Sequence, residues 1–222
     1  MDTIIENLKQ IEQNIADAKS KSPYDQNVQI IAVTKSVSTE RTVEAFEAGI
    51  THLGENRPEG LMTKVETLGE QPAWHYIGSL QTRKVKQVLP VVDYIHSLDR
   101  LSLAEEINKR ADRTVKCFVQ VNVSGEESKH GIELSKVESF IDALKQYDSI
   151  QVVGLMTMAP FTEDETILRQ TFQQLKQQQL KIATKAEKHA PCTELSMGMS
   201  NDYTIAIEEG ATFVRIGTAL VG

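Results

Sequence analysis

The stretch VQIIAVTKSVSTERTVEAFEAGITHLGE (residues 28–55) decides the fold class, because it reads as a strand, a helix and a strand in succession. Its opening residues are mostly apolar and rich in β-branched side chains, which predicts a buried strand. Ser38 or Thr39 can cap a helix over 39–48, and Gly49 is a typical helix stop. A second strand then ends the stretch. This order indicates two parallel strands joined by a right-handed crossover.

The same alternation continues along the rest of the chain. Further strands are predicted at 74–78, 93–97, 114–123, 150–158, 192–198 and 212–217, and helices at 57–68, 81–88, 100–111, 134–146, 164–188 and 201–208. This pattern favours the α/β class, closed into a (β/α)8 TIM barrel, with an open doubly wound sheet as the alternative. Residues 3–20 add an amphipathic N-terminal helix. We expect residues 1–222 to form a single barrel domain, since this length suits one hydrophobic core.

Composition argues against several classes of partner. The net charge of −7 would repel a nucleic-acid backbone. No apolar run approaches the roughly 18 residues that span a bilayer, and the N-terminus has no secretory pattern, so no membrane partner is expected. Cys117 and Cys192 have no second thiol or histidine at metal-ligand spacing. We therefore expect no metal, no disulfide framework and a cytoplasmic location. A monomer or weak dimer is expected as well.

Lys35 is the first candidate for chemistry, because reactive groups of such barrels lie just after the strands. By alternation it shares a face with Val33. If that face is the barrel interior, the amine lies among apolar groups, where its neutral form is favoured and can attack an aldehyde. The alternative is a lysine whose ammonium simply reaches solvent.

A phosphate site is predicted after the last two strands. Ser200 is a candidate N-cap for the following helix, whose free N–H groups suit a phosphate dianion. Gly217 permits close backbone approach, and Thr218 adds a hydroxyl donor. Taken singly, Ser200 is an ordinary cap and Gly217 an ordinary turn. Together they occupy the habitual phosphate position of this barrel, next to the strand that ends near Lys35.

Arg215 and Asn56 complete the candidate set. Arg215 stands in an otherwise apolar strand, where it either pairs with a carboxylate or points its guanidinium at the pyridine nitrogen of a cofactor. An arginine only donates hydrogen bonds, so it would keep that nitrogen unprotonated and make the ring a weaker electron sink. Asn56 either reaches the ring with its amide or caps the helix that starts near Arg57 and Pro58.

Ordered motifs along the chain carry a family resemblance. They are AVTK (32–35), HLGEN (52–56), WHYIG (74–78), SKHGI (128–132), GLMTM (154–158), LSMGMS (195–200) and VRIGT (214–218). The sequence resembles the pyridoxal phosphate homeostasis protein family, whose fold is that of the N-terminal barrel of alanine racemase. The resemblance implies pyridoxal 5′-phosphate (PLP) as the cofactor, bound as a Schiff base to Lys35. It assigns cofactor-binding roles to Lys35, Asn56, Ser200, Arg215, Gly217 and Thr218.

The resemblance further implies a carrier that buffers PLP and maintains vitamin B6, amino-acid and keto-acid pools without strong catalytic activity. Alanine racemase draws a second base from a β-rich domain, and we expect no such domain after Gly222. Apo forms of PLP-dependent enzymes are the expected recipients. The alternatives are a weak racemase or lyase completed by self-association, and a Schiff-base aldolase without the vitamin. Lys129 matches a possible secondary cofactor contact or is an exposed loop lysine.

Overall fold

The computed structural model describes residues 2–126 and 130–222. The strands are β1 (Gln29–Val33), β2 (His52–Glu55), β3 (Ala73–Tyr76), β4 (Tyr94–Leu98), β5 (Val115–Asn122), β6 (Ile132–Glu133), β7 (Ile150–Met156), β8 (Glu194–Met199) and β9 (Phe213–Ile216). The helices are α1 (Asp2–Lys21), α2 (Thr39–Glu47), α3 (Pro58–Leu68), α4 (Val85–Val88), α5 (Leu101–Arg110), α6 (Val137–Leu144), α7 (Glu165–Ala183), α8 (Tyr203–Glu208) and α9 (Thr218–Val221). Short 3-10 turns at Thr82–Lys84 and Leu134–Lys136 lead into α4 and α6.

All strand pairings of the sheet are parallel, and the sheet closes on itself. The strand order is β4-β3-β2-β1-β9-β8-β7-β5, and a further pairing between β4 and β5 completes the ring. The two-residue strand β6 pairs in parallel with the last two residues of β5 and lies outside this ring. The predicted eight-stranded barrel is therefore confirmed, and the open-sheet alternative is wrong.

Local sequence accounts for the first strand–helix unit. The hydroxyl of Ser38 accepts a hydrogen bond from the backbone N–H of Arg41 at 3.2 Å, which makes Ser38 the N-cap of α2. Gly49 ends this helical segment with φ of +103°, a conformation that costs little only for glycine. The predicted cap and stop are both confirmed, and together they return the chain to β2.

The core has two layers. Inside the barrel, a small apolar cluster consists of Ile31, Phe118, Val153, Met156 and Phe213. A larger buried layer lies between the barrel and its helices. Helix α1 joins this second layer, because its apolar stripe is buried against α8 and α9.

In the described part of the chain, no helix is both long and apolar enough to cross a membrane.

Three details differ from the sequence-based expectation. Helix α7 ends at Ala183, short of the predicted 188, because Ala186 adopts a positive φ of 50° and Glu187 bridges Ala190. Strand β6 was not predicted, since two residues carry no periodicity. Helix α9 was not predicted either, although its first residue is the candidate Thr218.

Candidate cofactor site

The candidate residues lie at the carboxyl ends of four neighbouring strands, β8, β9, β1 and β2. Arg215 of β9 pairs with Met199 of β8 on one side and with Ile31 of β1 on the other. Val33 of β1 pairs with Gly54 of β2. This register brings the remaining candidates, which follow those strands directly, to the same end of the barrel: Lys35, Asn56, Ser200, Gly217 and Thr218.

Lys35 lies in the turn that follows β1, and its side chain is exposed. The apolar surrounding that alternation suggested is therefore wrong, because the strand ends at Val33 and the turn redirects the chain. The backbone just before Lys35 is nevertheless firmly held. The N–H of Thr34 donates to the carbonyl of Gly54 at 3.0 Å, and its hydroxyl donates to Oε1 of Glu55 at 2.6 Å.

A buried ion pair also holds the backbone just before this turn. The ammonium of Lys64 in α3 donates to Oε1 of Glu55 and to the carbonyl oxygen of Thr34. The two charged side chains are only 6% and 2% exposed. Sequence reasoning missed this role of Lys64, since the contact depends on how α3 packs on the barrel. The pair anchors the residue immediately before Lys35.

The predicted phosphate ligands are brought together, but not by the predicted cap. The hydroxyl of Ser200 accepts a hydrogen bond from the backbone N–H of Gly217 at 3.3 Å. The N-cap of α8 is Asp202, whose Oδ1 accepts from the N–H of Met199 at 2.6 Å. The cap role of Ser200 is therefore wrong. Thr218 is exposed at the start of α9.

Gly217 also lies close to the end of β1. A Cβ placed on it would be 3.6 Å from both Cβ and the carbonyl oxygen of Val33. Lys35 follows two residues after Val33, so the candidate phosphate ligands and the candidate amine are on adjacent strand ends. A ligand with a phosphate and an aldehyde on one small ring suits such a pair.

Arg215 is buried, with 5% of its surface exposed. Its Nη1 donates to the hydroxyl of Ser196 at 2.6 Å, and its Nη2 donates to the carbonyl of Thr157 at 2.9 Å. A guanidinium carries five N–H donors, and these bonds use two of them. Among the described residues no carboxylate lies within ion-pair distance of it, so the ion-pair alternative is wrong. Burial lowers the pKa of Arg215 to about 10, although the charge of Asp202 opposes this shift.

Asn56 is half-buried just after β2. The N-cap position of α3 is Arg57 and carries no side-chain hydrogen bond, so the cap alternative for Asn56 is wrong. The carbonyl of Asn56 accepts from the hydroxyl of Tyr76 at 3.1 Å. Burial, assisted by Glu59 and Glu55, raises the pKa of Tyr76 to about 12. The phenol therefore stays protonated and acts as a donor.

Three histidines form a chain inside the barrel that sequence reasoning missed. Nδ1 of His52 lies 2.9 Å from Nε2 of His75, whose Nδ1 lies 2.8 Å from Nε2 of His96. Nδ1 of His96 lies 2.9 Å from the hydroxyl of Ser196, the same hydroxyl that Arg215 contacts. The available signal was one histidine in each of three consecutive predicted strands.

The remaining predicted features concern cysteine, metal and Lys129. Cys117 and Cys192 are buried free thiols, and burial raises the pKa of each to about 12. Within residues 2–126 and 130–222, no group of three histidine, cysteine or carboxylate side chains could hold a metal ion. Lys129 lies outside the described residues.

Known proteins share both this sequence pattern and this barrel. Residues 7–222 match the family model described as alanine racemase, N-terminal domain. A protein of Aquifex aeolicus named pyridoxal phosphate homeostasis protein is 37% identical over 222 residues, which cover 98% of this chain and 96% of the relative. The structure of PipY from Synechococcus elongatus PCC7942 with PLP bound has a TM-score of 0.86 at 31% identity, covering 99% of this chain and 100% of PipY.

More distant structures share the fold alone. Alanine racemase from Corynebacterium glutamicum has a TM-score of 0.74 at 15% identity, and the match covers 99% of this chain and 60% of the racemase. The resemblance inferred from the motifs is thus confirmed by matches over nearly the full length. The chain belongs to the pyridoxal phosphate homeostasis protein family, and its barrel to the alanine racemase N-terminal domain family.

Proposed function

We propose that this protein binds pyridoxal 5′-phosphate at the mouth of the barrel and carries and buffers it for the cell. The observation that carries the proposal is the convergence of a lysine, a buried arginine and a hydroxyl–backbone phosphate cradle on four adjacent strand ends. The names of the curated relatives and the PLP-bound structure of PipY support the same ligand.

The donor set fits the chemical groups of this cofactor. Ser200, the N–H groups near Gly217 and the hydroxyl of Thr218 are donors for the phosphate. Arg215 is a donor-only cation, which matches an unprotonated ring nitrogen. Asn56 supplies an amide beside the ring. Each group of the ligand thus has a residue of complementary chemistry at this end of the barrel.

Lys35 is the proposed attachment residue. When bound, PLP would supply an aldehyde carbon as the electrophile, and the primary amine of a lysine would condense with it to a Schiff base with loss of one water molecule. The exposed amine of Lys35 is accessible for that condensation. The buried Glu55–Lys64 pair holds the backbone before it, so the amine extends from a fixed strand end.

A carrier role agrees better with these residues than efficient turnover does. Racemisation needs two bases on opposite faces of the substrate, and positioned bases contribute roughly 10²–10⁴ in rate. The tyrosine that contacts Asn56 is Tyr76, whose raised pKa of about 12 makes it a poor base at neutral pH. Arg215 at the ring nitrogen would weaken the electron sink as well.

A weak amino-acid racemase or lyase is the second candidate function. It is favoured by one observation, the shared barrel of alanine racemase.

The cytoplasm is the proposed location, because both cysteines are buried free thiols and the substrates of PLP chemistry are small metabolites. Apo forms of PLP-dependent enzymes are the proposed recipients.

A transfer assay tests the carrier role. The PLP-loaded protein is mixed with an apo PLP-dependent enzyme, and the recovery of that enzyme's activity is compared with the same concentration of free PLP. The proposal expects faster or more complete reactivation by the loaded protein. Reactivation no better than the free cofactor would refute delivery. Turnover of D- or L-amino acids faster than with the same concentration of free PLP would favour the second candidate.

A further inference from the structure

The histidine chain crosses the inside of the barrel from strand starts to strand ends. His52 is the first residue of β2, while His75 lies in β3 and His96 in β4. Ser196 of β8 then connects His96 to Arg215 of β9. Hydrogen bonds therefore link the base of the barrel to the cation proposed to face the cofactor ring.

The interior members of the chain are removed from water. His75, His96 and Ser196 have no exposed surface. His52 is half-buried and lines a cavity of about 420 Å³ at the end of the barrel where the strands begin, together with Tyr94 and Lys116. The chain thus has one end at a solvent-accessible cavity and the other end at a buried guanidinium.

The direction of the hydrogen bonds follows from the arginine. Arg215 can only donate, so the oxygen of Ser196 must accept from it. The hydroxyl hydrogen of Ser196 is then free to donate to Nδ1 of His96 at 2.9 Å. A neutral His96 that accepts at Nδ1 carries its hydrogen on Nε2 and donates to His75. The same logic makes His75 donate from Nε2 to His52.

The opposite direction leaves a buried group without a partner. If His96 donated from Nδ1, the oxygen of Ser196 would accept from both His96 and Arg215. Its own hydrogen would then need another acceptor, and none is seen for it in the described part of the chain. An unsatisfied buried donor costs about 1–3 kcal/mol. The first direction is therefore the stable one.

Burial, together with the charges around the chain, keeps the rings neutral. Burial lowers the pKa of His75 well below its usual value, and His96, His52 and Lys116 add to the shift. Burial and then Arg215 lower the pKa of His96 in the same way. For His52, burial and Lys116 lower the pKa while Asp93 opposes them.

In this arrangement every ring turns its acceptor nitrogen toward Arg215. Tyr94 stacks on the ring of His75, with centroids 4.4 Å apart, and Phe118 stacks on His96 at 4.3 Å, so the rings have little freedom to rotate. The aligned dipoles place their negative ends toward the guanidinium. This orientation favours the buried cation without neutralising it.

We propose that Ser196, His96, His75 and His52 are positioning residues that form a one-directional chain and hold Arg215 at the cofactor ring. The role of Arg215 toward the cofactor ring rests on the proposed function, whereas the direction of the hydrogen-bond chain does not. The two parts are therefore tested separately.

The direction is tested in the full-length protein without cofactor, by ¹⁵N NMR of the histidine side chains. We expect His52, His75 and His96 all in the Nε2–H form at pH 7.5, and His75 and His96 unchanged down to pH 6. An Nδ1–H form at His75 or His96, or an imidazolium at either, would overturn the chain whatever the protein binds.

The link to Arg215 is tested with Ser196→Ala, and Ser97→Ala is the matched control. Ser97 is buried in β4 beside His96, but its hydroxyl has no hydrogen-bond partner in the described part of the chain. Both variants lose one buried hydroxyl. Only Ser196→Ala is expected to give mixed tautomers at His96 and, through the shared hydrogen bonds, at His75 and His52, because Nδ1 of His96 loses its donor.

The same pair of variants tests positioning at the cofactor. Ser196→Ala is expected to weaken PLP binding by about tenfold, the size of one buried hydrogen bond, and to shift the absorption band of bound PLP. Ser97→Ala should match the wild type in both. Equal PLP binding and spectra for the two variants would refute the positioning role. A wild-type protein that binds no PLP would refute the proposed function and leave the tautomer result standing.

Discussion

Arg215 is a buried cation whose two hydrogen-bond acceptors are both uncharged groups. A buried cation normally requires a carboxylate, since transfer from water to a low-dielectric interior is costly. Here a hydroxyl and a backbone carbonyl accept from it, and Asp202 acts only through its charge. The guanidinium keeps its charge and its remaining donors. A group of this kind is suited to recognising a ring nitrogen.

The Glu55–Lys64 pair gives a prediction at the same scale. Lys64→Met leaves the carboxylate of Glu55 buried without its cation, so we expect a loss of about 3–5 kcal/mol in the free energy of unfolding. Urea denaturation followed by circular dichroism measures this. Adding Glu55→Gln to Lys64→Met should recover part of the loss, because no uncompensated charge remains. A double variant as unstable as the sum of the singles would contradict the coupling.

Two glycines, Gly154 in β7 and Gly217 after β9, differ in how closely atoms of the neighbouring strands approach them. A Cβ on Gly154 of β7 would lie 2.0 Å from the carbonyl oxygen of Glu194 in β8. A Cβ on Gly217 would meet Val33 only at an ordinary 3.6 Å. The first glycine serves strand pairing, and the second lies where we propose that a ligand approaches.

Gly154→Ala and Gly217→Ala should therefore behave differently. We expect Gly154→Ala to lower the free energy of unfolding by about 1–3 kcal/mol or more, because a backbone atom must move. Gly217→Ala should stay within about 0.5 kcal/mol of the wild type. Urea denaturation of both variants measures the difference. Equal losses in the free energy of unfolding would mean that the distance from the added Cβ to its neighbours does not determine the destabilisation.

Element by element, periodicity predicted most of the fold. The apolar runs of β1, β5 and β7 and the amphipathic stripe of α1 were readable because each spans several residues of one period. Helix α7 was predicted too long, since residues 184–188 have no Gly or Pro and only the tertiary bridge between Glu187 and Ala190 turns the chain. Such contacts leave no local pattern.

The site was predictable only where strand ends define it. Lys35, Asn56 and Gly217 follow strands, and the barrel rule selects such positions. The histidine chain was not found, because His96 and Ser196 are 100 residues apart and meet only across the closed barrel. For Lys35 the sequence left an apolar surrounding and a solvent-exposed amine both open, since the choice between them depends on the turn after β1.

At the scale of the whole molecule, the buried histidines couple stability to pH. Their pKa values are lower in the folded protein than the unfolded value of about 6.5, so the unfolded chain binds more protons as the pH falls. The contribution of the neutral histidines to the free energy of unfolding is complete above pH 6.5. It is lost below that pH, at up to about 1.4 kcal/mol per pH unit for each histidine.

Urea denaturation at pH 7.5, 6.5 and 5.5 measures this loss. We expect His75→Gln and His96→Gln to reduce the slope between pH 6.5 and 5.5, because the ionisable ring is gone. Ser97→Ala should keep the wild-type slope, since it removes no titratable group. A wild-type protein whose stability is constant over this range would contradict the buried neutral chain.

Borohydride reduction of the PLP-loaded protein, followed by peptide mapping, tests the proposed covalent site most directly. We predict one pyridoxyl group per chain, on the peptide that contains Lys35. Lys35→Ala should carry no label, whereas Lys9→Ala, a change at an exposed lysine of α1, should label like the wild type. A pyridoxyl group on another lysine, or on none, would contradict the central claim.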